Sequence, residues 1–212
     1  MKSLSKTLLA TVIVAASTTG ANLAQAEGEL SANVGLVSDY YFRGIDQGTS
    51  ATGSAGLDYE VSGFYVGTWA ADVGDGLEID GYFGYGFDLG DFSFGVGFTG
   101  YYYTGEFDDD YEEINLTAGY GPVSVEYTIG EYDSDPSQDY TFAAITLEHN
   151  GFYGTFGTFG DDFDGEYVEL GYGTTISEID FGVAIILNDE ELSGTGEDDE
   201  SLVFSISKAF DL

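Results

Sequence analysis

The 212 residues carry 39 acidic side chains against four basic ones, a formal charge of −35, together with 17 Tyr, 16 Phe and 43% hydrophobic residues. That balance excludes the clustered Lys and Arg that nucleic-acid binding requires, and such an aromatic content belongs to a folded chain, not to an acidic disordered one. The absence of cysteine rules out a disulfide framework and a thiolate metal site, and a single histidine, His149, leaves no His-rich metal centre.

In chain order, the first segment reads as an export signal. Lys2 and Lys6 supply a positive start, Leu8 to Ala16 a short apolar run, and Ala24-Gln25-Ala26 a small-residue cleavage site. This order of regions predicts a secretory signal peptide over 1–26 and a single mature domain over 27–212. All the acidic residues lie after Ala26, and Arg43 and Lys208 are then the only basic residues left. No apolar run beyond residue 26 approaches the ~18 residues of a helical span, so a membrane role has to come through strands.

From residue 31 onward the hydrophobic period is two. Runs are predicted at 31–42, 51–60, 63–72, 77–89, 92–103, 112–121, 122–131, 140–149, 151–160, 166–175, 178–187 and 201–212. In the fourth, Leu77, Ile79, Phe83, Tyr85, Phe87 and Leu89 share one face, while Glu78, Asp80, Tyr82, Gly84, Gly86 and Asp88 share the other. Gly90-Asp91 then turns the chain into Phe92, Phe94, Val96, Phe98 and Tyr102, alternating with Ser93, Gly95, Gly97, Thr99 and Tyr101. Such a pair is a β-hairpin, and each arm exceeds the roughly 9–11 residues of a tilted membrane-crossing strand. The two runs at 140–149 and 151–160 alternate less cleanly than the rest.

The connections fall into two sets. Val61-Ser62-Gly63, Gly90-Asp91, Gly121-Pro122, Asn150-Gly151 and Thr175 to Ser177 are short; 43–50, 73–76, 104–111, 132–139, 161–165 and 188–200 are mostly longer and polar. Acidic residues crowd the second set, as in Asp108-Asp109-Asp110, Asp189-Glu190-Glu191 and Glu197 to Glu200. Short turns at one end and longer loops at the other is the plan of an outer-membrane barrel. A soluble β-sandwich also alternates, but its core needs bulk from two facing sheets. Here one face is aromatic and aliphatic while the other is Gly, Ser, Thr, Asn and carboxylates, as when one face meets hydrocarbon and the other water. Hydrocarbon requires every backbone polar group to pair internally, so the sheet must close. The expected fold is therefore all-β, a transmembrane antiparallel up-and-down β-barrel of about 12 strands. The last run places Phe210 and Leu212 on its apolar face, interrupted by Lys208, and an apolar C-terminal strand resembles the signal read by the barrel assembly machinery.

The segment Ser38-Asp39-Tyr40-Tyr41-Phe42-Arg43-Gly44-Ile45 resembles the opening strand of the TorF-type porins, the Gcw_chp family, although Asp46 stands where Ser is commoner. Gly63-Phe64-Tyr65-Val66-Gly67-Thr68-Trp69-Ala70, followed by Leu77-Glu78-Ile79-Asp80, looks like the second conserved block of that family. The resemblance implies an outer-membrane barrel without assigning a solute.

Phase predicts an interior lined by Asp58, Glu60, Glu78, Asp80, Glu113, Glu126, Glu169 and Asp180, with Arg43 forming a salt bridge to interior acids. Carboxylate-lined pores favour cations, so the expected function is a passive, cation-preferring outer-membrane pore for small cationic or neutral solutes. The alternative is a non-conducting structural or adhesive outer-membrane barrel with acidic, divalent-cation-binding extracellular loops, because small barrels are often filled by their own side chains. No cofactor is expected, save weakly bound calcium at Asp161, Asp162, Asp164 and Glu166, where several oxygen ligands flank a glycine without the full EF-hand spacing. Outer-membrane lipid and lipopolysaccharide are the expected surroundings, nucleic acid is not a partner, and His149, beside the Asn150-Gly151 turn without a nearby nucleophile, gives no sign of an enzyme.

Overall fold

A computed structural model of the chain describes residues 28–212; the expected signal peptide lies outside the described residues. Twelve strands follow one another: β1 (Glu29–Phe42), β2 (Ile45–Val61), β3 (Phe64–Asp72), β4 (Leu77–Leu89), β5 (Phe92–Tyr103), β6 (Tyr111–Tyr120), β7 (Val123–Tyr132), β8 (Gln138–His149), β9 (Phe152–Asp161), β10 (Glu166–Ile176), β11 (Ile179–Asn188) and β12 (Asp199–Asp211). Each pairs antiparallel with its sequence neighbour, and β1 pairs with β12 from Ser31↔Asp211 to Val37↔Ser205, closing the barrel. Closure leaves no strand edge unpaired.

The period-two pattern becomes an inside and an outside. Val34, Leu57, Phe64, Phe83, Leu116, Ile145, Leu170 and Phe204 all lie exposed on the outer surface, alternating with more enclosed neighbours. A continuous belt of aliphatic and aromatic side chains around a closed sheet is what a bilayer stabilises and water does not. The chain is an all-β, closed twelve-stranded antiparallel barrel that crosses the membrane with strands.

The turns at one end are all two residues long, and twist explains their type. Ser62-Gly63, Asn150-Gly151 and Ser177-Glu178 have positive φ at both central residues, the pattern of a type I′ turn, whereas Gly90-Asp91 and Gly121-Pro122 have it only at the first, as in type II′. Both classes match the right-handed twist of the strands they join. At the opposite end lie 73–76, 104–110, 133–137, 162–165 and 189–198.

The first connection at that loop end corrects the expectation. A polar loop over 43–50 is not formed; β2 starts at Ile45, and the turn is Arg43-Gly44, again with both φ positive (49° and 83°). Tyr41↔Asp46 and Phe42↔Ile45 continue the β1–β2 ladder to its tip, with a bulge between Asp39 and Tyr41. A bulge bends its strand and raises its twist, and this hairpin tip folds inward over the lumen. Polar composition suggests a solvated loop because Asp46, Gly48 and Ser50 of this hairpin are indeed exposed, although the backbone there is extended.

Candidate functional site: the barrel interior

Contacts between strands that are not neighbours in the sheet have to cross the lumen, and most of them converge on the β1–β2 tip. Arg43 Nη1 donates to Glu113 Oε1 of β6 at 2.5 Å, and Nη2 donates to Glu113 Oε2 at 3.2 Å, to Glu126 Oε1 of β7 at 2.7 Å and to Thr128 Oγ1 at 3.2 Å. The guanidinium also lies 4.9 Å from the ring centre of Phe42 and 4.3 Å from that of Phe142 on β8. A planar fork with five donors can serve two carboxylates and two rings at once, which an ammonium cannot. Glu113 accepts further bonds from Tyr101 (3.0 Å), Tyr140 (2.7 Å) and Asn115 (2.9 Å). Its residue exposure is 1%, and that of Thr128 beside it is 0%.

Two aromatic clusters flank this knot. Tyr140, Phe142, Phe159, Tyr167 and Leu192 form one, with Tyr111, Tyr132 and Phe163 packed against it; Tyr40, Ala71 and Val73 form the other, with Phe42, Trp69, Tyr103 and Phe107. Here lies the reason for the irregular phase of β8 and β9: their aromatic residues serve both faces, some filling the interior at the loop end. Toward the short-turn end the inward positions are small or polar, among them Ser93, Gly95, Thr117, Gly119, Ser124 and Gly182, and most are half-buried or exposed. Between β1 and β9 to β12 the interior keeps a cavity of about 60 Å³ edged by Val37, Tyr40, Tyr153, Ala184 and Ile186. The lumen is thus a vestibule open at the short-turn end and narrowed at the loop end.

The carboxylates singled out from phase are distributed over both levels. Glu78, Asp80, Glu113 and Glu169 lie toward the loop end, Glu126 lies two inward positions deeper than Glu113, and Asp58, Glu60 and Asp180 lie near the short-turn end. Tyr40 donates to Glu78 at 2.6 Å, Tyr82 to Asp58 at 2.5 Å with Asn33 adding a bond at 3.2 Å, Tyr153 to Glu169, and Thr175 to Asp180 at 2.5 Å. Glu60 is half-buried in β2, opposite Tyr65. The tyrosines and Phe142 carry much of this architecture, and sequence reasoning passed over them as site residues. Tyr101 was visible by its inward phase, but Tyr40 enters only because the bulge reverses the phase of β1.

In the acidic segment 161–166 two of the carboxylates accept backbone amides. Asp162 Oδ2 accepts from the Asp139 amide (3.1 Å), Asp164 Oδ1 accepts from the Gly165 amide (2.9 Å), and the Glu166 amide donates to Asp189 (2.7 Å). Asp161 sits exposed at φ 69°. Among the described residues no group of three or more His, Cys, Asp or Glu is disposed to hold a metal. His149 is exposed at a short turn, with its Nε2 2.8 Å from Asn150 Nδ2.

Closed sheet, apolar belt and polar interior together define a transmembrane β-barrel of the outer-membrane type. A family model described as "Bacterial protein of unknown function (Gcw_chp)" matches residues 21–202, and the chain belongs to that family. No curated protein matches the sequence. Among solved structures, one from work on the in-meso crystallization of membrane proteins superposes with a TM-score of 0.57 at 10% identity, covering 87% of this chain and 84% of that one. OccK1 (OpdK) of Pseudomonas aeruginosa gives 0.42 at 13% identity over 78% of this chain, and a BenF-like porin from Pseudomonas fluorescens Pf-5 gives 0.38 at 14% over 77%. The chain spans 58% and 56% of the length of those last two. The likeness to the first of these is one of fold.

Proposed function

We propose that the protein is a porin-like channel of the bacterial outer membrane, passing small cationic or neutral solutes passively through a lumen narrowed around Arg43. The observation that carries this reading is the charge of the interior: carboxylates occur at both levels of the lumen, and Arg43 is the one guanidinium among them. Carboxylate-lined pores concentrate cations and repel anions. The small and polar inward positions at the short-turn end leave room for solutes to enter the lumen from that side. The belt of Phe, Leu and Ile meets outer-membrane lipid, and the acidic loops face lipopolysaccharide and its counter-ions, calcium included. Planar-bilayer recording of refolded protein under a KCl gradient tests it. Discrete low-conductance events whose reversal potential has the sign of cation preference are expected; an anion-selective reversal would reject the selectivity.

A second reading is favoured by the filled loop end, where Tyr40, Phe142, Glu113 and Thr128 are each at most 2% exposed. On that reading the barrel is a non-conducting structural or adhesive protein presenting acidic loops. Absence of channel events from material with the heat-modifiable gel mobility of a folded barrel would decide for it.

A further inference from the structure

The interior contains more buried carboxyl groups than the chain has basic side chains to balance. After residue 26 the only basic residues are Arg43 and Lys208. Arg43 is spent on Glu113 and Glu126, and Lys208 pairs outside the lumen with Glu178 at 3.2 Å. Glu78 and Asp80, successive inward residues of β4, are each only 2% exposed. Glu78 accepts bonds from Tyr40 and Tyr103, but a phenol that donates a hydrogen bond supplies no counter-charge. Asp80 Oδ1 is buried with no hydrogen-bond partner among the described groups, and the charged groups acting on Asp80 are Glu78 and Glu113, both of its own sign. A buried carboxylate without a counter-charge is strongly disfavoured, and two on neighbouring inward positions repel each other.

We propose that the Glu78/Asp80 pair is a binding site for a small metal cation taken from solution, with Asp80 Oδ1 and the Glu78 carboxylate as its charged ligands. Hard cations take oxygen ligands of this kind. The enclosure around Asp80, with Trp69 opposite it across the β3–β4 ladder and Tyr101 opposite it across β4–β5, excludes bulky organic cations. The site sits beside the Arg43 knot and is distinct from the 161–166 loop. It does not require that the lumen conduct: in a closed barrel the ion is structural, and in an open one it marks the first stop of a permeating cation.

Trp69 is the only tryptophan and reports on the site. Its fluorescence in the refolded barrel is to be titrated with NaCl, KCl, MgCl2 and CaCl2, with ionic strength held constant by tetrabutylammonium chloride. A saturable change with at least one metal cation is expected. Its midpoint should rise tenfold or more in Asp80→Asn and stay in place in the doubly substituted Asp161→Asn/Asp162→Asn loop variant. If Asp80→Asn does not refold, Glu78→Gln carries the same criterion. The absence of a saturable change with every metal cation, a response identical in the variants, or one that tetrabutylammonium chloride alone reproduces overturns the proposal. So does an infrared band of a protonated carboxylic acid at neutral pH that is lost on removing Asp80 or Glu78, since a proton would then replace the metal. Channel recordings leave this outcome untouched, so the site and the proposed function fail separately.

Discussion

Arg43 and Glu113 lie 70 residues apart in sequence, one at the tip of a hairpin and the other on the opposite wall, yet their side chains meet at 2.5 Å inside the barrel, 6% and 0% exposed. The pair ties the inward-folded tip to β6, and the bond to Glu126 extends the tie to β7. Removing one partner of a buried pair costs about 3–5 kcal/mol, because the other charge is left uncompensated. Arg43→Ala should therefore lower the urea midpoint of unfolding from lipid vesicles by an amount in that range. Arg43→Met combined with Glu113→Gln and Glu126→Gln should recover part of the loss, since no carboxylate partner of Arg43 is then left without its counter-charge. If the lumen conducts, Arg43→Ala also raises the single-channel conductance. Unchanged stability and conductance would show that the knot neither holds nor narrows the barrel.

How much of this was readable in the sequence depends on the period. Where inward and outward residues differ sharply, as in Leu77–Leu89, strand limits and faces follow from the alternation alone, and the structure reproduces those limits. Twelve strands and closure follow from the same rule. The Arg43 turn did not follow, because Asp46, Gln47 and Gly48 have the composition of a loop, while Tyr41↔Asp46 and Phe42↔Ile45 resume the ladder beyond the irregular stretch and carry it to the tip. The bulge between Asp39 and Tyr41 breaks the period and brings Tyr40 inside, a tertiary effect with no local signature. In β8 and β9 the interior is aromatic, so polarity ceases to distinguish the two faces.

The partition of faces predicts an asymmetric response to charge. Phe83 lies midway along β4, is 52% exposed and packs against Phe98 at 5.6 Å on the outer surface. Arg at the bilayer midplane costs about 2–4 kcal/mol. Phe83→Arg should destabilise the barrel in vesicles by that amount, whereas Thr117→Arg, inward and exposed beside Glu126, should change stability by less than about 1 kcal/mol. Equal penalties at the two positions, measured by reversible unfolding in phospholipid vesicles, would contradict the assignment of inside and outside.

Small residues on β4 and β5 make room for a ring from β3. The Tyr65 hydroxyl occupies the space a Cβ would take at both Gly84 and Gly97, 2.2 and 2.3 Å from the ideal positions. Gly97→Val forces the ring away from its place, and overpacking of this kind costs about 1–3 kcal/mol. Tyr65→Ala in the same chain should restore much of the loss by vacating the space. Heat-modifiable gel mobility across a temperature series reads both effects. A single variant as stable as the parent would mean that Tyr65 is free to swing into the vestibule.

The hairpin tip is also fastened by its backbone, which allows position to be separated from charge. Asn188 of β11, 4% exposed, donates from Nδ2 to the Gly44 carbonyl at 3.1 Å. At Gly44 itself, φ +83°, an added Cβ would stand 2.7 Å from the Tyr167 ring, so glycine is needed both for the turn and for the close approach. Asn188→Ala removes the tether and leaves a buried carbonyl unpaired, at about 1–3 kcal/mol, with Arg43 untouched. If the tip acts by occupying the lumen, Asn188→Ala and Gly44→Val should both raise conductance or its noise without altering the reversal potential, while Arg43→Ala shifts the reversal potential as well. A shift of reversal potential in Asn188→Ala equal to that in Arg43→Ala would mean that releasing the tip also withdraws the guanidinium from Glu113 and Glu126, making tether and ion pair a single mechanical unit.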